Sequence, residues 1–388
     1  MKKKVALIVI DALGVGELPD ADKYGDRGAN TFVHVYEKCK PNIPNLTDMG
    51  IMAAAGLECE DEPLGCFGKL REKAMGKDTT TGHWEIAGLT LNKPFPTYPD
   101  GFPDNLISAI EDEIGMQVIG NKAASGTAII DELGVEHIKT GKPIVYTSAD
   151  SVFQVAAHEA VIPPAELWHI CRLCRKVLTG DHAVGRVIAR PFVGNPGSFT
   201  RTAFRKDFSL DPVRKTLLDL MKESGHDVVG VGKIEDIFNN RGLTASKHVT
   251  GNAACIDATI EALKKPQLNG LVFTNLVDTD MLYGHRNDVE GYARCLEEID
   301  RRLPEIMRCL GDEDVLIITG DHGCDPAFPG TDHTREYVPL LAWSLAANEG
   351  VDLGTRDTFA DISATILDLF GVKNTLDGRS FWPEMKLD

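Results

Sequence analysis

The sequence predicts an α/β protein built on a doubly wound, mostly parallel sheet. Short apolar runs alternate with amphipathic stretches toward both ends of the 388-residue chain, and these runs are continuously apolar. Continuous apolar strands are typical of parallel sheets that helices cover on both faces. The predicted strands are residues 5–11, 227–232, 270–277 and 314–321.

Two amphipathic stretches, residues 210–225 and 288–311, predict helices of this core, and each ends in a glycine that suits a helix stop. The middle of the chain differs. A Pro- and Phe-rich, linker-like stretch begins after Lys93, and Val-rich strands and a helix around 163–179 follow. We therefore predict an α/β domain over 94–209, inserted into a core formed by 1–93 plus 210–388.

Composition excludes several classes of function. The net charge of −17 argues against a nucleic-acid partner, whose phosphates it would repel. No apolar run approaches the roughly 20 residues of a membrane helix, so we expect no membrane partner. Nine cysteines without framework spacing suit a reducing, cytoplasmic location. An acidic chain that handles anionic substrates needs local cations, either bound metal or placed arginines.

Acidic residues and histidines follow three of the predicted strands. The first strand ends at Asp11, and the strand 270–277 continues into DTDMLYGH with Asp278, Asp280 and His285. The strand 314–321 ends in Asp321-His322, and Asp325, Asp332 and His333 follow in the next loop. Strand ends of an open α/β sheet meet at one edge, where ligands bind. Oxygen and nitrogen ligands of this kind suit Mn²⁺, Mg²⁺ or Zn²⁺, and six of them suit two metals better than one.

The stretch GKDTTTGHWE, residues 76–85, raises the question of a nucleophile. Its threonines precede a plausible helix, so they could simply be caps, with a threonine at the N-cap. A hydroxyl beside divalent cations, however, loses its proton more easily and could accept a phosphoryl group.

Two other motifs carry weaker signals. Gly14-Val15-Gly16 lacks the remaining glycines of a dinucleotide fingerprint, and acidic residues follow it. Cys171 and Cys174 are spaced as CxxC within an amphipathic helix, and no second pair completes a zinc site. We interpret these cysteines as ordinary thiols.

Taken together, the sequence resembles the phosphopentomutase family of the alkaline phosphatase superfamily over almost its whole length. The strand-end Asp and the DHG…DHTREYVP elements are shared with metal-dependent phosphoglycerate mutases, whereas the GKDT element and the middle stretches are specific to the pentose enzymes. The stretches that carry the resemblance are DALGVGELPDADKYGDRGANT, GKDTTTGHWEIAG, IGNKAASGTAIIDELG, IVYTSADSVFQVAAHE, GRVIARPFVGNPGSFTRT, NLVDTDMLYGHRND and DHGCDPAFPGTDHTREYVPLL.

The resemblance implies an alkaline phosphatase-like core with an inserted cap domain, two metal ions that are usually Mn²⁺, and Thr79 as the phosphorylated residue. It implies Asp11, Asp321 and His322 on one metal and Asp280, His285 and His333 on the other. For the sugar phosphate it points to Ser148, Asp150, Arg186, Arg201 and Lys233. The arginines would supply bidentate phosphate contacts.

The implied activity is interconversion of ribose (or 2-deoxyribose) 1-phosphate and 5-phosphate through a 1,5-bisphosphate, started by an activating sugar bisphosphate. The cap would exclude water, since a wet phosphoenzyme hydrolyses. The alternatives are a metal-dependent phosphomonoesterase and a phosphoglycerate mutase of the same superfamily. A non-enzymatic metal- or phosphate-binding protein is a further alternative, against which the hydroxyl beside the ligands argues.

Overall fold

A computed structural model describes residues 2–58, 62–148, 151–346 and 350–385. Its contacts divide the chain into two compact units, which we call the core unit (Met1–Lys93 with Pro212–Asp388) and the inserted unit (Pro94–Asp211). Each unit has its own sheet and its own hydrophobic core.

Strands and helices are numbered in chain order. The strands are β1 (Lys4–Ile10), β2 (Cys66–Leu70), β3 (Ile119–Ala123), β4 (Ile144–Thr147), β5 (Val152–His158), β6 (Arg186–Val193), β7 (Thr200–Arg201), β8 (Lys206–Ser209), β9 (Asp227–Val231), β10 (Ala245–Lys247), β11 (Gly270–Leu276), β12 (Val315–Thr319), β13 (Val338–Trp343) and β14 (Asp352–Arg356). The helices are α1 (Thr31–Cys39), α2 (Pro44–Asp48), α3 (Ile51–Ala54), α4 (Thr79–Ile86), α5 (Asp104–Ile114), α6 (Gly126–Thr140), α7 (Pro164–Val177), α8 (Leu217–Glu223), α9 (Ile234–Ile237), α10 (Asn252–Leu263), α11 (Val289–Met307) and α12 (Asp361–Leu369).

The core unit contains an eight-stranded sheet in the order β10-β9-β11-β1-β12-β13-β2-β14. Pairing is parallel except on the two sides of β13, so the predicted mostly parallel sheet is confirmed. The four predicted strands are β1, β9, β11 and β12, and every residue of β11 is buried.

Helices cover both faces of this sheet, as expected for a doubly wound fold. Ala6, Ile8 and Ile10 of β1 lie in one core with side chains of α1, α10 and α11. The alternating residues of β1, such as Leu7, are buried on the opposite face. Of the helices described, none is both long and apolar enough to span a bilayer.

The position of β1 explains how the sequence brings its acidic residues together. Parallel β1 lies between parallel β11 and β12, with Val9 opposite Asn275 on one side and Thr319 on the other. The carboxyl ends of all three strands therefore lie at one edge of the sheet, and the residues that follow them are neighbours.

Helix α8 is shorter than the sequence predicts. The prediction began at residue 210, whereas the helix begins at Leu217 after a capping box between Thr216 and Asp219. Each of these two side chains accepts the backbone N–H of the other residue. These hydrogen bonds fix the start of the helix at Leu217, although the apolar pattern begins further upstream. The predicted helix around 163–179 is confirmed as α7.

The inserted unit contains a mixed sheet in the order β3-β4-β5-β6-β7, with β8 also paired to β6. Helices α5 and α7 pack on one face of this sheet, and α6 packs on the other. Cys171 and Cys174 are buried in α7, where burial raises the pKa of both thiols. They are core residues, which agrees with their interpretation as ordinary thiols.

Candidate metal centre

The first group of predicted ligands converges at the ends of β1 and β12. His322 Nε2 lies 3.4 Å from Asp11 Oδ1 and 3.4 Å from Asp321 Oδ2. All three residues are fully buried. The backbone N–H of Ala12 donates to Asp321 Oδ1 at 3.1 Å, which leaves Oδ2 directed toward the histidine. The structure therefore brings Asp11, Asp321 and His322 together as one potential ligand set.

The second group lies beside the first. Asp280 is in a single π-helical turn, Thr279–Tyr283, that follows β11, and π turns are frequent at functional sites. Its Oδ1 lies 3.4 Å from the Nε2 atoms of both His285 and His333, which are 3.0 Å apart. The rings of His322 and His333 stack at 3.9 Å between centroids, so the two groups adjoin. We call these six residues the Asp/His cluster.

The cluster has the features that a bound cation requires. Asp11 Oδ1, Asp280 Oδ1 and Asp321 Oδ2 are buried and have no hydrogen-bond partner in the described chain. Buried carboxylate oxygens are costly unless a donor or a metal compensates them. These three atoms are also the ones that face the histidine nitrogens. The residues present therefore fit divalent cations that accept oxygen and nitrogen ligands.

Burial and the close approach of several carboxylates shift the pKa values of residues in the cluster. Burial, together with repulsion from Asp321 and Asp280, raises the pKa of Asp11 well above its usual range, and the Lys233 charge opposes this rise. Burial lowers the pKa of His322 to about 4, so its imidazole is neutral near pH 7. His322 Nδ1 lies 3.0 Å from the Gly323 carbonyl, which it can donate to, leaving Nε2 free to bind a metal.

Thr79 is the threonine of the GKDTTTGHWE stretch that faces the cluster. It is the first residue of α4 and only 9% exposed, and its Oγ1 lies 3.2 Å from His322 Nε2. Thr81 instead donates its hydroxyl to Asp78 Oδ2 at 2.5 Å. Thr79 therefore lies where a reactive hydroxyl would be needed, whereas the Thr81 hydroxyl is bonded to the N-cap residue Asp78.

The expectation of a threonine at the N-cap is wrong. Asp78 is the N-cap of α4, and its Oδ1 accepts the backbone N–H of Thr81 at 3.1 Å. An aspartate satisfies this donor and also places a negative charge at the positive end of the helix dipole. Because Asp78 caps the helix, Thr79 is free to point at His322.

Two buried residues that the sequence did not single out support this arrangement. His83 Nδ1 lies 2.9 Å from the Thr79 carbonyl, to which it donates, and it is also 3.1 Å from Asp321 Oδ2. Asn275 donates to Asp11 Oδ2 at 2.9 Å. His83 follows Thr79 by four residues, and this helical spacing was the available signal. Nothing comparable in the sequence marks Asn275.

A neighbouring glycine shows how closely α4 approaches β12. A Cβ atom at Gly82 would lie 2.1 Å from the Asp321 carbonyl oxygen. Only glycine allows the two backbones to come this close. This close approach brings the first turn of α4 to the cluster.

Other acidic residues near these strand ends have different partners. Asp278 Oδ2 accepts the backbone N–H of Asn252 at 2.7 Å, and Asp325 Oδ2 pairs with His34 Nδ1 at 2.6 Å. Asp332, with an exposed side chain, lies 3.4 Å from Lys77 Nζ. These contacts distinguish structural carboxylates from those of the Asp/His cluster.

The predicted substrate residues are divided between the two units. Lys233 follows β9 in the core unit, and its charge acts on Asp11. Ser148, Arg186 and Arg201 belong to the inserted unit, where Arg186 Nη1 lies 3.6 Å from Asp207 Oδ2. Asp150 lies outside the described residues.

Metal addition is expected to stabilise the folded chain. At a free Mn²⁺ concentration of 100 times Kd, metal binding should raise the free energy of unfolding of EDTA-treated protein by about 2.7 kcal/mol, because only the folded state assembles the ligands. Urea unfolding with and without Mn²⁺ measures this gain. Asp321→Asn should lose most of it, while Asp332→Asn, outside the cluster, should keep it. An equal gain in both variants would contradict binding at the cluster.

Comparisons with known proteins identify the family of the chain. The profile described as the Metalloenzyme superfamily matches residues 3–374. A phosphopentomutase of Caldanaerobacter subterraneus subsp. tengcongensis is 58% identical over 100% of this chain and 99% of its own. One of Carboxydothermus hydrogenoformans is 56% identical over 99% of this chain and 100% of its own. A solved Pyrococcus horikoshii protein, 19% identical, shares the fold with a TM-score of 0.52, covering 97% of this chain and 100% of its own.

Proposed function

Since the chain belongs to the phosphopentomutase family of the Metalloenzyme superfamily, and is thus a metal-dependent isomerase, we propose that it works through a phosphothreonine at Thr79. The reaction is the interconversion of ribose (or 2-deoxyribose) 1-phosphate and 5-phosphate through a 1,5-bisphosphate. Asp11, Asp321 and His322 hold one divalent cation, and Asp280, His285 and His333 hold a second. Mn²⁺ is the proposed metal.

The observation that carries this proposal is the 3.2 Å contact between Thr79 Oγ1 and His322 Nε2. The Thr79 hydroxyl therefore lies beside the Asp/His cluster, whose three carboxylate oxygens without hydrogen-bond partners support the assignment of metal ligands. His83 Nδ1 is hydrogen-bonded to the Thr79 carbonyl and lies 3.1 Å from Asp321 Oδ2, so one imidazole contacts both the proposed nucleophile and a proposed ligand. Positioning of this kind is the main contribution a protein makes to phosphoryl transfer.

The transfer balances without a further reactant. The free hydroxyl of the pentose phosphate attacks phosphorus, the bond from phosphorus to Thr79 Oγ1 breaks, and the proton lost by the sugar restores the Thr79 hydroxyl. The resulting bisphosphate turns and returns its other phosphoryl group to Thr79 by the reverse steps. Divalent cations, when bound, supply positive charge that offsets the charge developing on the transferred group.

Substrate binding is assigned to the residues that the family resemblance indicated. Ser148, Asp150, Arg186 and Arg201 of the inserted unit, with Lys233 of the core unit, bind the sugar phosphate. Three of the five are cations in a chain of net charge −17, as an anionic substrate requires. The role of the inserted unit as a cap stays a prediction. A cytoplasmic location is supported by the free thiols of the described cysteines.

One assay separates this function from its alternatives. Purified protein with Mn²⁺, ribose 5-phosphate and a catalytic amount of ribose 1,5-bisphosphate should form ribose 1-phosphate without releasing phosphate. Release of one phosphate for each sugar consumed would identify a phosphomonoesterase instead. Faster turnover of 3-phosphoglycerate than of ribose 5-phosphate would identify a phosphoglycerate mutase. Without the bisphosphate, ribose 1-phosphate should still be the product, but it should form after a longer initial delay.

A further inference from the structure

Glu336 is a fully buried carboxylate that accepts four hydrogen bonds from three parts of the core unit. Its Oε1 accepts the hydroxyls of Thr31 and Thr334, each at 2.6 Å. Its Oε2 accepts the backbone N–H groups of Gly16 at 3.1 Å and of Thr31 at 2.9 Å. An ionised carboxylate is an acceptor only, so it can satisfy two donors at each oxygen. One side chain therefore joins the loop after β1, the start of α1 and the loop after β12.

The loop after β12 carries two histidines of the Asp/His cluster close to this carboxylate. Gly323 follows His322, and Thr334 follows His333. The backbones of Gly323 and Thr334 pair as an isolated β-bridge, with N–H to carbonyl distances of 3.1 and 2.8 Å. Because each histidine directly precedes a residue of the bridge, the bridge holds the two rings side by side, 3.9 Å apart. Glu336 binds the Thr334 side of this bridge.

Two glycines leave the space that the carboxylate occupies. A Cβ atom at Gly14 would lie 2.3 Å from Glu336 Oε2, and one at Gly323 would lie 2.3 Å from Glu336 Oε1. Gly14 belongs to the loop that follows Asp11, and the Gly16 N–H of that loop is one of the four donors. A side chain at either glycine would displace the carboxylate, since protein interiors are close-packed. Glu336 therefore packs against the segment after Asp11 as well as the segment after His322.

Thr31 extends the reach of the carboxylate to the residue after Gly323. Its hydroxyl donates to Glu336 Oε1 and accepts the backbone N–H of Cys324 at 3.2 Å. A hydroxyl can do both at once, since it has one proton and two lone pairs. The segment from His322 to Cys324 is therefore held at Gly323 through the bridge and at Cys324 through Thr31.

We propose that Glu336 is a positioning residue for both metal ions: it fixes the backbone of the segments that carry Asp11, His322 and His333 and so raises the affinity for each cation. Metal ligands depend on the groups that orient them, and changes to such groups typically weaken metal binding by about 10- to 100-fold. The role rests on the metal ligands of the proposed function. Glu336 acts through these segments and is not itself a ligand.

Glu336→Met tests this role, because methionine has about the length of glutamate but offers no strong acceptor to the four donors. Binding of Mn²⁺ to the full-length protein can be followed by the electron paramagnetic resonance of the free ion. Both affinities should fall at least about tenfold. The Mn²⁺ concentration that half-saturates isomerase turnover should rise by the same factor, with turnover recovering at saturating Mn²⁺.

Glu85→Met is the matched control. Glu85 is also fully buried, and its carboxylate accepts three backbone N–H groups and one hydroxyl, from Lys73, Ala74, Phe359 and Thr358. These donors lie outside the segments that carry the Asp/His cluster. Both variants should therefore unfold at lower urea concentration in EDTA, but only Glu336→Met should bind Mn²⁺ more weakly. A purely structural role for Glu336 would leave Mn²⁺ affinity alike in the two variants.

Thr31→Val gives an independent measurement should Glu336→Met fail to fold. Valine has nearly the same shape but removes one donor to Glu336 and the acceptor of the Cys324 N–H, so Mn²⁺ binding should weaken about two- to tenfold.

Thr365→Val is the control for this second variant. The buried Thr365 hydroxyl likewise donates to one group, the Asp361 carbonyl at 2.8 Å, and accepts a backbone N–H, that of Phe381 at 2.9 Å. Because none of these groups is joined to Glu336, Thr365→Val should keep wild-type Mn²⁺ affinity. Circular dichroism verifies folding of all four variants.

The role of Glu336 is refuted if Glu336→Met binds Mn²⁺ as tightly as Glu85→Met does. Where Glu336→Met does not fold, equal Mn²⁺ affinity in Thr31→Val and Thr365→Val refutes it. Isomerase turnover by the wild-type chain, with Mn²⁺ affinities that ignore Glu336, would overturn the role alone. Glu336-dependent Mn²⁺ binding in a chain that only hydrolyses ribose 5-phosphate would support the role and reject isomerisation.

Discussion

Replacing Thr79 with alanine is expected to reduce isomerase turnover by more than about a thousandfold while leaving metal binding intact. The methyl group of alanine keeps the helix start, because Asp78 rather than Thr79 caps α4. The loss is therefore confined to the hydroxyl that lies 3.2 Å from His322 Nε2. Turnover of ribose 5-phosphate with Mn²⁺ and bisphosphate measures the effect.

The neighbouring Thr80 provides the control. Thr80→Ala removes a hydroxyl from the next residue of the same turn and should keep wild-type turnover. Mass spectrometry after incubation with ribose 1,5-bisphosphate should find one phosphoryl group on the peptide that contains Thr79, in the wild type and in Thr80→Ala but not in Thr79→Ala. Full turnover by Thr79→Ala with metal bound would refute the nucleophile assignment.

The metal ligands could be predicted from the sequence because they follow recognisable strands. The apolar runs that end at Asp11, before Asp280 and at Asp321 are continuous, and continuous runs predict parallel strands. Parallel strands that are neighbours share a carboxyl edge, so the ligands could be expected to meet once the strands were recognised. The order β11-β1-β12 supplies that adjacency.

Contacts between distant segments could not be predicted in this way. His83 reaches Asp321 because α4 lies against the end of β12 through Gly82. Asn275 of β11 reaches Asp11, which follows the neighbouring strand β1. The starts of α4 and α8 depend on Asp78 and on the Thr216 capping box. Side-chain caps of this kind set helix starts locally and override the apolar pattern.

One such distant contact should have the largest effect on stability. Arg335→Ala is expected to lower the free energy of unfolding by about 3–5 kcal/mol, because it leaves the Glu72 carboxylate buried without its partner. Arg335 Nη1 lies 2.6 Å from Glu72 Oε2, and the two residues are 3% and 1% exposed. Burial raises the pKa of Glu72, and the guanidinium opposes that rise. Urea unfolding of the EDTA-treated protein measures the loss.

Arg302→Ala is the matched control, since Arg302 pairs with Asp257 and Glu305 at the surface and its removal should cost no more than about 1 kcal/mol. Replacing both buried partners, as Glu72→Leu with Arg335→Met, should recover much of the stability, because no uncompensated charge remains. Equal losses in Arg335→Ala and Arg302→Ala would show that the buried pair is not a special determinant of stability.

The double variant should still be impaired as an enzyme, because Arg335 does more than pair with Glu72. Its Nη1 also lies within hydrogen-bond distance of the Ala74 carbonyl, at 2.8 Å, and of the Gly76 carbonyl, at 2.5 Å, in the segment that leads to Thr79. Methionine has no donor for these carbonyls, so the double variant separates stability from positioning. Recovered stability with reduced turnover would assign Arg335 to the placement of the nucleophile, whereas recovery of both would leave it only a structural role.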